Sequence, residues 1–160
     1  GDSRSYAQLT VVHGGPLDFD RLLPLATETT NRHRRTNRVV VALEPAALEP
    51  AEWRIHRATL ERERVALLQR ADRIVTDFLR SEGLYHEVWQ CPVVLLPFSR
   101  GGGETVAVRP VTSVDGMTAE AARLPAHKVA ELARRIRELD GVDAVVYDLS
   151  HKPPSTIEWE

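Results

Sequence analysis

The chain has 160 residues, of which 42% are hydrophobic and 28% charged, as expected of a folded globular protein rather than a disordered one. Its 21 basic and 23 acidic residues leave a net charge of -2, without the basic excess of a dedicated nucleic-acid binder. A single cysteine, Cys91, excludes an internal disulfide and a multi-cysteine metal site, and it favours a reducing compartment. No apolar run approaches the ~20 residues of a membrane span and no signal peptide is recognisable, so we expect a cytoplasmic protein.

The first fifty residues are predicted to form a strand, a helix and a second strand. These elements are Ser5–Val12, Asp18–Arg35 and Asn37–Leu43. Pro24 interrupts the helical pattern, so we expect the helix to kink there or to begin there. A proline-bounded linker, residues 44–50, then separates a first subdomain (residues 1–50) from a second one (residues 51–160).

The second part of the chain is predicted to contain two amphipathic helices and three strands. In chain order these are helix Arg57–Arg80, strands Val88–Pro97 and Glu104–Thr112, helix Pro125–Asp140 and strand Ala144–Leu149. The glycines at 101–103 are followed by a strand and not by a helix start. They therefore predict the turn of an antiparallel hairpin rather than a phosphate-binding loop.

The two halves share an order of elements: a strand, a helix ending in a basic turn, and a β-branched strand (NRVVVAL against VDAVVYDL). We interpret this as a weak internal duplication. It predicts an α/β fold in the loose, α+β sense, with two small helix-covered sheets joined by the long helix. The second unit has an additional strand before its repeat and the first has none, so we expect a truncation or a unit completed by another chain. The sequence also starts without methionine, which suggests a processed product or a piece of a longer protein.

Several side chains have both a structural and a functional interpretation. The basic run at residues 31–38 is typical of a solvated helix end, with nucleic acid or a sister subunit as the alternative. Cys91 lies in the apolar stretch VWQCPVVLLP without a nucleophile elbow, which favours a buried structural thiol. The six histidines show no paired ligand spacing, so no metal site is predicted.

The C-terminal sequence KPPSTIEWE is the most informative stretch. Two prolines stiffen the backbone and hold Lys152 and Glu158 at a defined separation, which suits a small zwitterionic or phosphorylated ligand. The alternative is a terminal tail that packs Trp159 on the core. At the other end, Arg4 stands just before a strand, where it could bind a phosphate or simply be a surface charge.

These motifs together resemble the C-terminal region of glutamine-hydrolysing GMP synthases. The resemblance is carried by VVYDLSHKPPSTIEWE and by GDSRSY, RADRIVTDFLRSEGLY, QCPVVLLP and VRPVTSVDGMTAEAARLP, in the family's order along nearly the whole chain. The additional first unit resembles the long, eukaryotic-like form of the family, in which this region is doubled. The family's pyrophosphate loop, S-G-G-x-D-S, and its glutaminase cysteine elbow have no counterpart here.

The resemblance implies a substrate site and no catalytic or metal-binding residue. In the family an amidotransferase domain makes ammonia from glutamine, and a Mg-ATP-dependent pyrophosphatase domain activates XMP for amination to GMP. By resemblance Arg4 and Gln90 contact the XMP phosphate, Lys152 with Thr156 and Ile157 completes the phosphate site, and Glu158 lies near the xanthine ring. The implied partners are XMP, a second copy of the chain and the two catalytic domains, in the same or a separate chain, with neither nucleic acid nor membrane.

The resemblance therefore predicts the XMP-binding and dimerisation part of a ligase that is not catalytic alone and binds no cofactor itself. Two other functions stay open. One is a free-standing paralogue that binds or senses a purine nucleotide, or that serves as a subunit beside a separate synthetase. The other is a structural dimerisation module, which the joint retention of Arg4, Gln90, Lys152 and Glu158 argues against.

Overall fold

The computed structural model describes residues 7–43 and 53–159. Its helices are α1 (Phe19–Arg32), α2 (Arg62–Ser81) and α3 (Ala126–Arg137). Its strands are β1 (Gln8–Val12), β2 (Thr36–Ala42), β3 (Arg54–Ile55), β4 (Val93–Leu96), β5 (Phe98–Ser99), β6 (Glu104–Val108), β7 (Val111–Thr112), β8 (Glu120–Ala121) and β9 (Val142–Asp148). The predicted linker at 44–50 and the GDSRSY segment with Arg4 lie outside the described residues.

The α+β class is confirmed, but the strands are arranged differently from the expected pair of separate sheets. One five-stranded sheet has the order β1-β2-β9-β6-β4, with the small sheets β3-β5 and β7-β8 beside it. The two halves are joined where β2 pairs antiparallel with β9, through Val40↔Asp148, Val41↔Tyr147 and Ala42↔Val146. Both strands are apolar on both faces, and each would leave an unpaired edge in a sheet of its own. When β2 and β9 pair with each other, neither strand is left with that unpaired edge. Local sequence patterns do not reveal this long-range pairing.

The strand registers support the internal duplication. Strand β1 runs parallel to β2, and β6 runs parallel to β9. The matched pairs include Gln8↔Thr36 and Leu9↔Arg38 in the first unit, and Glu104↔Val142 and Thr105↔Ala144 in the second. Even the register shift recurs, after Gln8 in β1 and after Glu104 in β6. Since β2 and β9 are antiparallel neighbours, an approximate two-fold axis between Val41 and Tyr147 relates the two βαβ units.

The main core lies on one face of the large sheet, where all three helices pack. The apolar stripes of the helices supply Leu22, Ala26, Ala71, Val75, Phe78, Leu79, Val129, Leu132, Ala133 and Ile136 to it. Alternate strand residues, Val39, Val41, Val106, Val108, Val145 and Tyr147, face the helices. The residues between them form a smaller cluster of Val40, Leu96, Ala107 and Val146, against which Trp159 packs. Side-chain alternation along buried strands thus divides the apolar residues between the two faces.

Helix α1 begins at Phe19, before the proline that was expected to start or kink it. Asp18 is its N-cap and accepts a hydrogen bond from the Asp20 amide at 3.1 Å, so the cap decides the start. Pro24 lies inside the helix.

The predicted hairpin is confirmed, since β4 pairs antiparallel with β6. The expected strand to Thr112 is divided at Arg109 and Pro110, where the proline has no amide to donate.

Candidate functional site

A buried group of charges at the end of β9 holds the C-terminal tail, residues 150–159. Asp148 is fully buried and accepts from Arg38 Nη1 at 3.0 Å. The Arg109 Nη1 atom lies 2.9 Å from the same carboxylate oxygen, Oδ2 of Asp148. Arg109 is 0% exposed and Arg38 5%. Burial without partners would be prohibitive for such charges, so the contacts of the two guanidinium groups determine the local structure.

Arg109 binds the tail with three nitrogen atoms. Its Nε donates to the Ile157 carbonyl at 3.0 Å, its Nη1 to the Ser150 carbonyl at 3.0 Å, and its Nη2 to the Ser155 hydroxyl at 3.1 Å. The Ser155 hydroxyl in turn donates to the His151 carbonyl at 2.7 Å. A planar fork of donors thereby fixes both the start and the end of the tail.

Arg38 reaches the tail from the first βαβ unit. Its Nη2 donates at 3.0 Å to both the carbonyl and the hydroxyl oxygen of Thr156, and its guanidinium lies 4.6 Å from the ring centre of Trp159. Burial lowers the pKa of Arg38 to about 10, although the charges of Asp148 and Glu158 act in the opposite direction. At neutral pH the group therefore stays charged.

Sequence analysis missed Arg38, Arg109 and Asp148. The prediction of a solvated basic run is right for the exposed Arg32, Arg34 and Arg35, but wrong for Arg38, whose side chain is buried. A usable signal was present, because each of the three missed charges stands at or beside the end of an apolar, β-branched strand. Charged residues that are buried with such strands are almost always paired, so opposite charges at these positions indicate a buried ion pair.

Gln90 and Glu158 are brought together in an open groove of about 480 Å³, which Tyr85, Trp89 and Cys91 also line. Both Gln90 and Glu158 are exposed. The groove therefore presents an amide and a carboxylate beside aromatic rings. This combination can accept hydrogen bonds from a planar heterocycle that stacks on an aromatic side chain.

Lys152 does not line that groove. It borders a wider cavity of about 970 Å³ along α1, and its Nζ donates to the Gly116 carbonyl at 3.0 Å. Its backbone pairs with that of Ala119, with N···O distances of 2.8 and 3.2 Å. The Gly116 turn nevertheless touches the groove, since a Cβ added at Gly116 would lie 3.0 Å from Cη2 of Trp89. Lys152 and the groove are thus connected through one turn.

Thr156 and Ile157 face inward and are buried. Ile157 packs with Val111 and Ala119 in a small apolar cluster, while Thr156 binds Arg38. The chain beyond Ile157 returns to the surface at Glu158. The two buried residues therefore anchor the segment that presents Glu158 to solvent.

Cys91 is half-buried in the wall of the groove. Burial raises the pKa of its thiol to about 12, and the nearby charge of Asp72 adds to the increase. A thiol with this pKa is almost entirely protonated at neutral pH and is a poor nucleophile. These properties fit the structural role that was predicted for it.

Among residues 7–43 and 53–159, no cluster of three His, Cys, Asp or Glu side chains could hold a metal ion. The amides of Gly101 and Gly103 donate to Asp143 Oδ2 at 2.7 and 2.8 Å, so the chain's own carboxylate occupies the glycine turn. In the described part of the chain no helix has the length and apolar character needed to cross a membrane.

The chain is similar to GMP synthases along its length. The family model described as GMP synthase C terminal domain matches residues 77–159. A "Probable GMP synthase [glutamine-hydrolyzing]" of Leptospira interrogans is 35% identical over 100% of this chain and 27% of its own length. GMP synthases of Leifsonia xyli and Nitratidesulfovibrio vulgaris are 41% and 50% identical, over 90% and 61% of the chain and 32% and 21% of their own lengths.

The chain thus spans only about a quarter of the length of these relatives. The family match, by contrast, covers more than half of the chain and includes α3, β9 and the tail with its contacts to Arg109. The chain belongs to the GMP synthase C-terminal domain family.

Proposed function

We propose that this chain is the XMP-binding and dimerisation part of a GMP synthase, and that it supports the ATP-dependent amination of XMP to GMP in the cytoplasm. The observation that carries the proposal is the tail, whose residues from Ser155 to Ile157 are held by two buried arginines. Glu158 is thereby presented in the same groove as Gln90. A carboxylate on a segment held at an aromatic-lined groove suits recognition of a purine base with N-H groups.

The proposed roles are those that the family resemblance implies. Lys152 and Arg4 neutralise the phosphate, Gln90 and the Thr156-Ile157 segment complete its site, and Glu158 accepts hydrogen bonds from the ring of xanthine. Glutamine hydrolysis and the Mg-ATP-dependent activation of XMP would belong to other domains, because the motifs for those reactions are missing from this sequence. The chain itself would contribute no catalytic residue and no cofactor.

The repeated strand register supports a second part of the proposal, that this is the longer form of the family with a doubled C-terminal region. The first unit reproduces the register of the second, including its irregularity. A duplication would account for this agreement. We propose accordingly that the first unit acts as a second dimerisation-type module beside the one that carries the tail.

Calorimetric titration of XMP and IMP into the wild type and two variants tests the site. Lys152→Ala removes one charge-assisted contact and should weaken XMP binding by about 1.5 to 3 kcal/mol. Glu158→Gln should narrow the preference for XMP over IMP while phosphate affinity persists, because an amide offers one donor where the base needs an acceptor. Lys128→Ala is the matched control, since Lys128 also donates to a backbone carbonyl, that of Glu82 at 2.9 Å.

Thermal melts of the same proteins separate binding from folding. The site assignment would be wrong if both variants bound XMP like the wild type, or if Lys152→Ala lost affinity only in proportion to a lowered melting temperature. An equal loss of affinity in Lys128→Ala would also contradict it, because Lys128 lies on α3 and outside the proposed site.

A further inference from the structure

One contact in the molecule, the ion pair between Arg38 and Asp148, does not obey the two-fold relation between the βαβ units. The offset that matches Val41 to Tyr147 also matches Arg38 to Ala144, and Ala42 to Asp148. The ion pair between Arg38 and Asp148 would therefore have, as its symmetry-related counterpart, two alanines. The first unit supplies the arginine, the second supplies the aspartate and the tail, and the arrangement occurs once.

The contacts of Arg38 are distributed between the sheet and the tail. One terminal nitrogen, Nη1, donates to Asp148 at 3.0 Å, and the other, Nη2, donates to two oxygens of Thr156. The guanidinium plane is covered by the ring of Trp159. Residues on both sides of Glu158 are thus bound to a single side chain that belongs to the other unit.

We propose that Arg38 is a positioning residue for the nucleotide site, supplied by the first βαβ unit, which sets the place of the Glu158 carboxylate in the groove by holding Thr156 and Trp159. The proposal rests on the proposed function, because it assumes that Glu158 recognises the base. It gives the first unit a direct part in substrate specificity, since a residue of the first unit holds the tail that recognises the base.

The chemistry requires arginine at this place. A guanidinium offers donors from separate nitrogens in a rigid plane, so it can bind Asp148 and Thr156 at once and still stack on Trp159. Lysine would keep the positive charge beside Asp148, but its single nitrogen cannot reproduce the fork. Arg38→Lys therefore removes the geometry while it keeps the charge, which makes it the informative variant.

Hydrogen exchange of the chain without ligand tests whether Arg38 holds the tail. In Arg38→Lys we expect amides in the peptide spanning residues 151–159 to exchange at least about 10-fold faster, while α2 and β6 keep wild-type rates. Arg34→Lys, at an exposed arginine of the same basic run, is the matched control and should leave all rates unchanged. Unchanged tail exchange in Arg38→Lys would overturn the proposal.

Titration with XMP and IMP tests the consequence for specificity. If the tail is displaced, Arg38→Lys should raise the dissociation constant for XMP about 10-fold or more and reduce the preference for XMP over IMP. A general loss of stability would weaken both nucleotides alike and leave the preference intact. An unchanged preference in a protein with a loosened tail would show that Arg38 is only structural and would overturn the proposal.

Two outcomes separate this inference from the proposed function. If the wild type binds neither nucleotide, the proposed function fails and the specificity role of Arg38 fails with it, whatever the exchange of the tail. If Arg38→Lys does not fold, the double variant Thr156→Val, Trp159→Leu replaces it, because it removes the hydroxyl and the aromatic ring that Arg38 contacts in the tail and leaves the pair with Asp148. Wild-type exchange at 157–159 in this double variant would overturn a tail held through Arg38.

Discussion

At the scale of single residues, the chain places three full charges where water does not reach them. Asp148 carries one negative charge between the positive charges of Arg38 and Arg109, and the remaining donors bind carbonyl and hydroxyl oxygens of the tail. Removing one member would leave the remaining buried charges without one of their partners. Such a removal destabilises the fold by more than the intact group stabilises it, because the charges that remain stay out of water.

Arg109→Met is therefore expected to destabilise the fold by about 3 to 5 kcal/mol, since it leaves the Asp148 carboxylate short of a charge and the tail short of three hydrogen bonds. Urea denaturation followed by circular dichroism measures the change. Arg134→Met is the control, because Arg134 is exposed on α3 and pairs with Glu131 and Glu138 of the same surface. A cost below about 1 kcal/mol for Arg109→Met would contradict the account.

The half-buried thiol of Cys91 leads to a second prediction at this scale. Burial raises the pKa of Cys91 from 9.0 to about 12, so the folded state keeps a proton that the unfolded state loses above pH 9. The resulting stabilisation is complete below pH 9 and disappears as the pH rises towards 12. In Cys91→Ala the free energy of unfolding should fall less steeply between pH 9 and 10 than in the wild type.

The same pKa predicts low reactivity of the Cys91 thiol. In the native protein at pH 8, iodoacetamide should react about 100- to 1,000-fold more slowly than with free cysteine.

At the scale of elements, capping and turn contacts define the ends of the helices and strands. The turn between β4 and β6 illustrates this, because its glycines approach the backbone where β9 begins. A Cβ added at Gly103 would lie 2.7 Å from the Gly141 carbonyl oxygen, and one at Gly101 would lie 3.1 Å from the Asp143 carboxylate. Backbone cannot move aside as a side chain can, so the two glycines are not equivalent.

Gly103→Ala should destabilise the protein by about 1 to 3 kcal/mol through overpacking at the start of β6. Gly101→Ala is the internal comparison. It should stay within about 0.5 to 1 kcal/mol of the wild type, because a small displacement of the Asp143 carboxylate relieves the contact and alanine lowers the conformational entropy of the unfolded chain. Thermal unfolding of both variants provides the measurement, and equal destabilisation by the two substitutions would refute the distinction.

At the scale of the whole molecule, the sheet combines two similar units with different surroundings. On the outer side of β6 the sheet continues into β4, whereas in the described part of the chain no strand pairs with the outer side of β1. An open strand edge is a site for pairing with another chain. The apolar residues Leu9 and Val11 of this strand also line a groove with Trp53 and Phe98.

We therefore expect the chain to form a homodimer through a self-complementary, two-fold contact that includes the edge of β1. Sedimentation at micromolar concentration should show a species of twice the 17.9 kDa mass. Leu9→Lys should shift the equilibrium towards the monomer, whereas Leu25→Lys, on the exposed face of α1, should not. A single species of 17.9 kDa for the wild type would contradict the prediction.

The sequence by itself determined the features that depend on neighbours within a few turns or strands. The apolar stripes of α2 and α3, the hairpin at the glycine turn and a strand at Ala144–Leu149 were predicted from local periodicity and turn chemistry. The structure confirms them, with the strand found at Val142–Asp148. The repeated order of elements also predicted an internal duplication, and the registers of the two parallel strand pairs agree with it. In each case the determining contacts lie close together in the sequence.

Only the tertiary structure decided how the units combine and which charges are buried. Arg38 and Asp148 are 110 residues apart, and their contact exists because β2 pairs with β9 in one register. In a strand, a shift of one residue would turn Arg38 to the opposite face, so its role depends on a long-range pairing that local patterns do not encode. For the same reason the basic run looked like a solvated helix end, although its last arginine holds the tail in place.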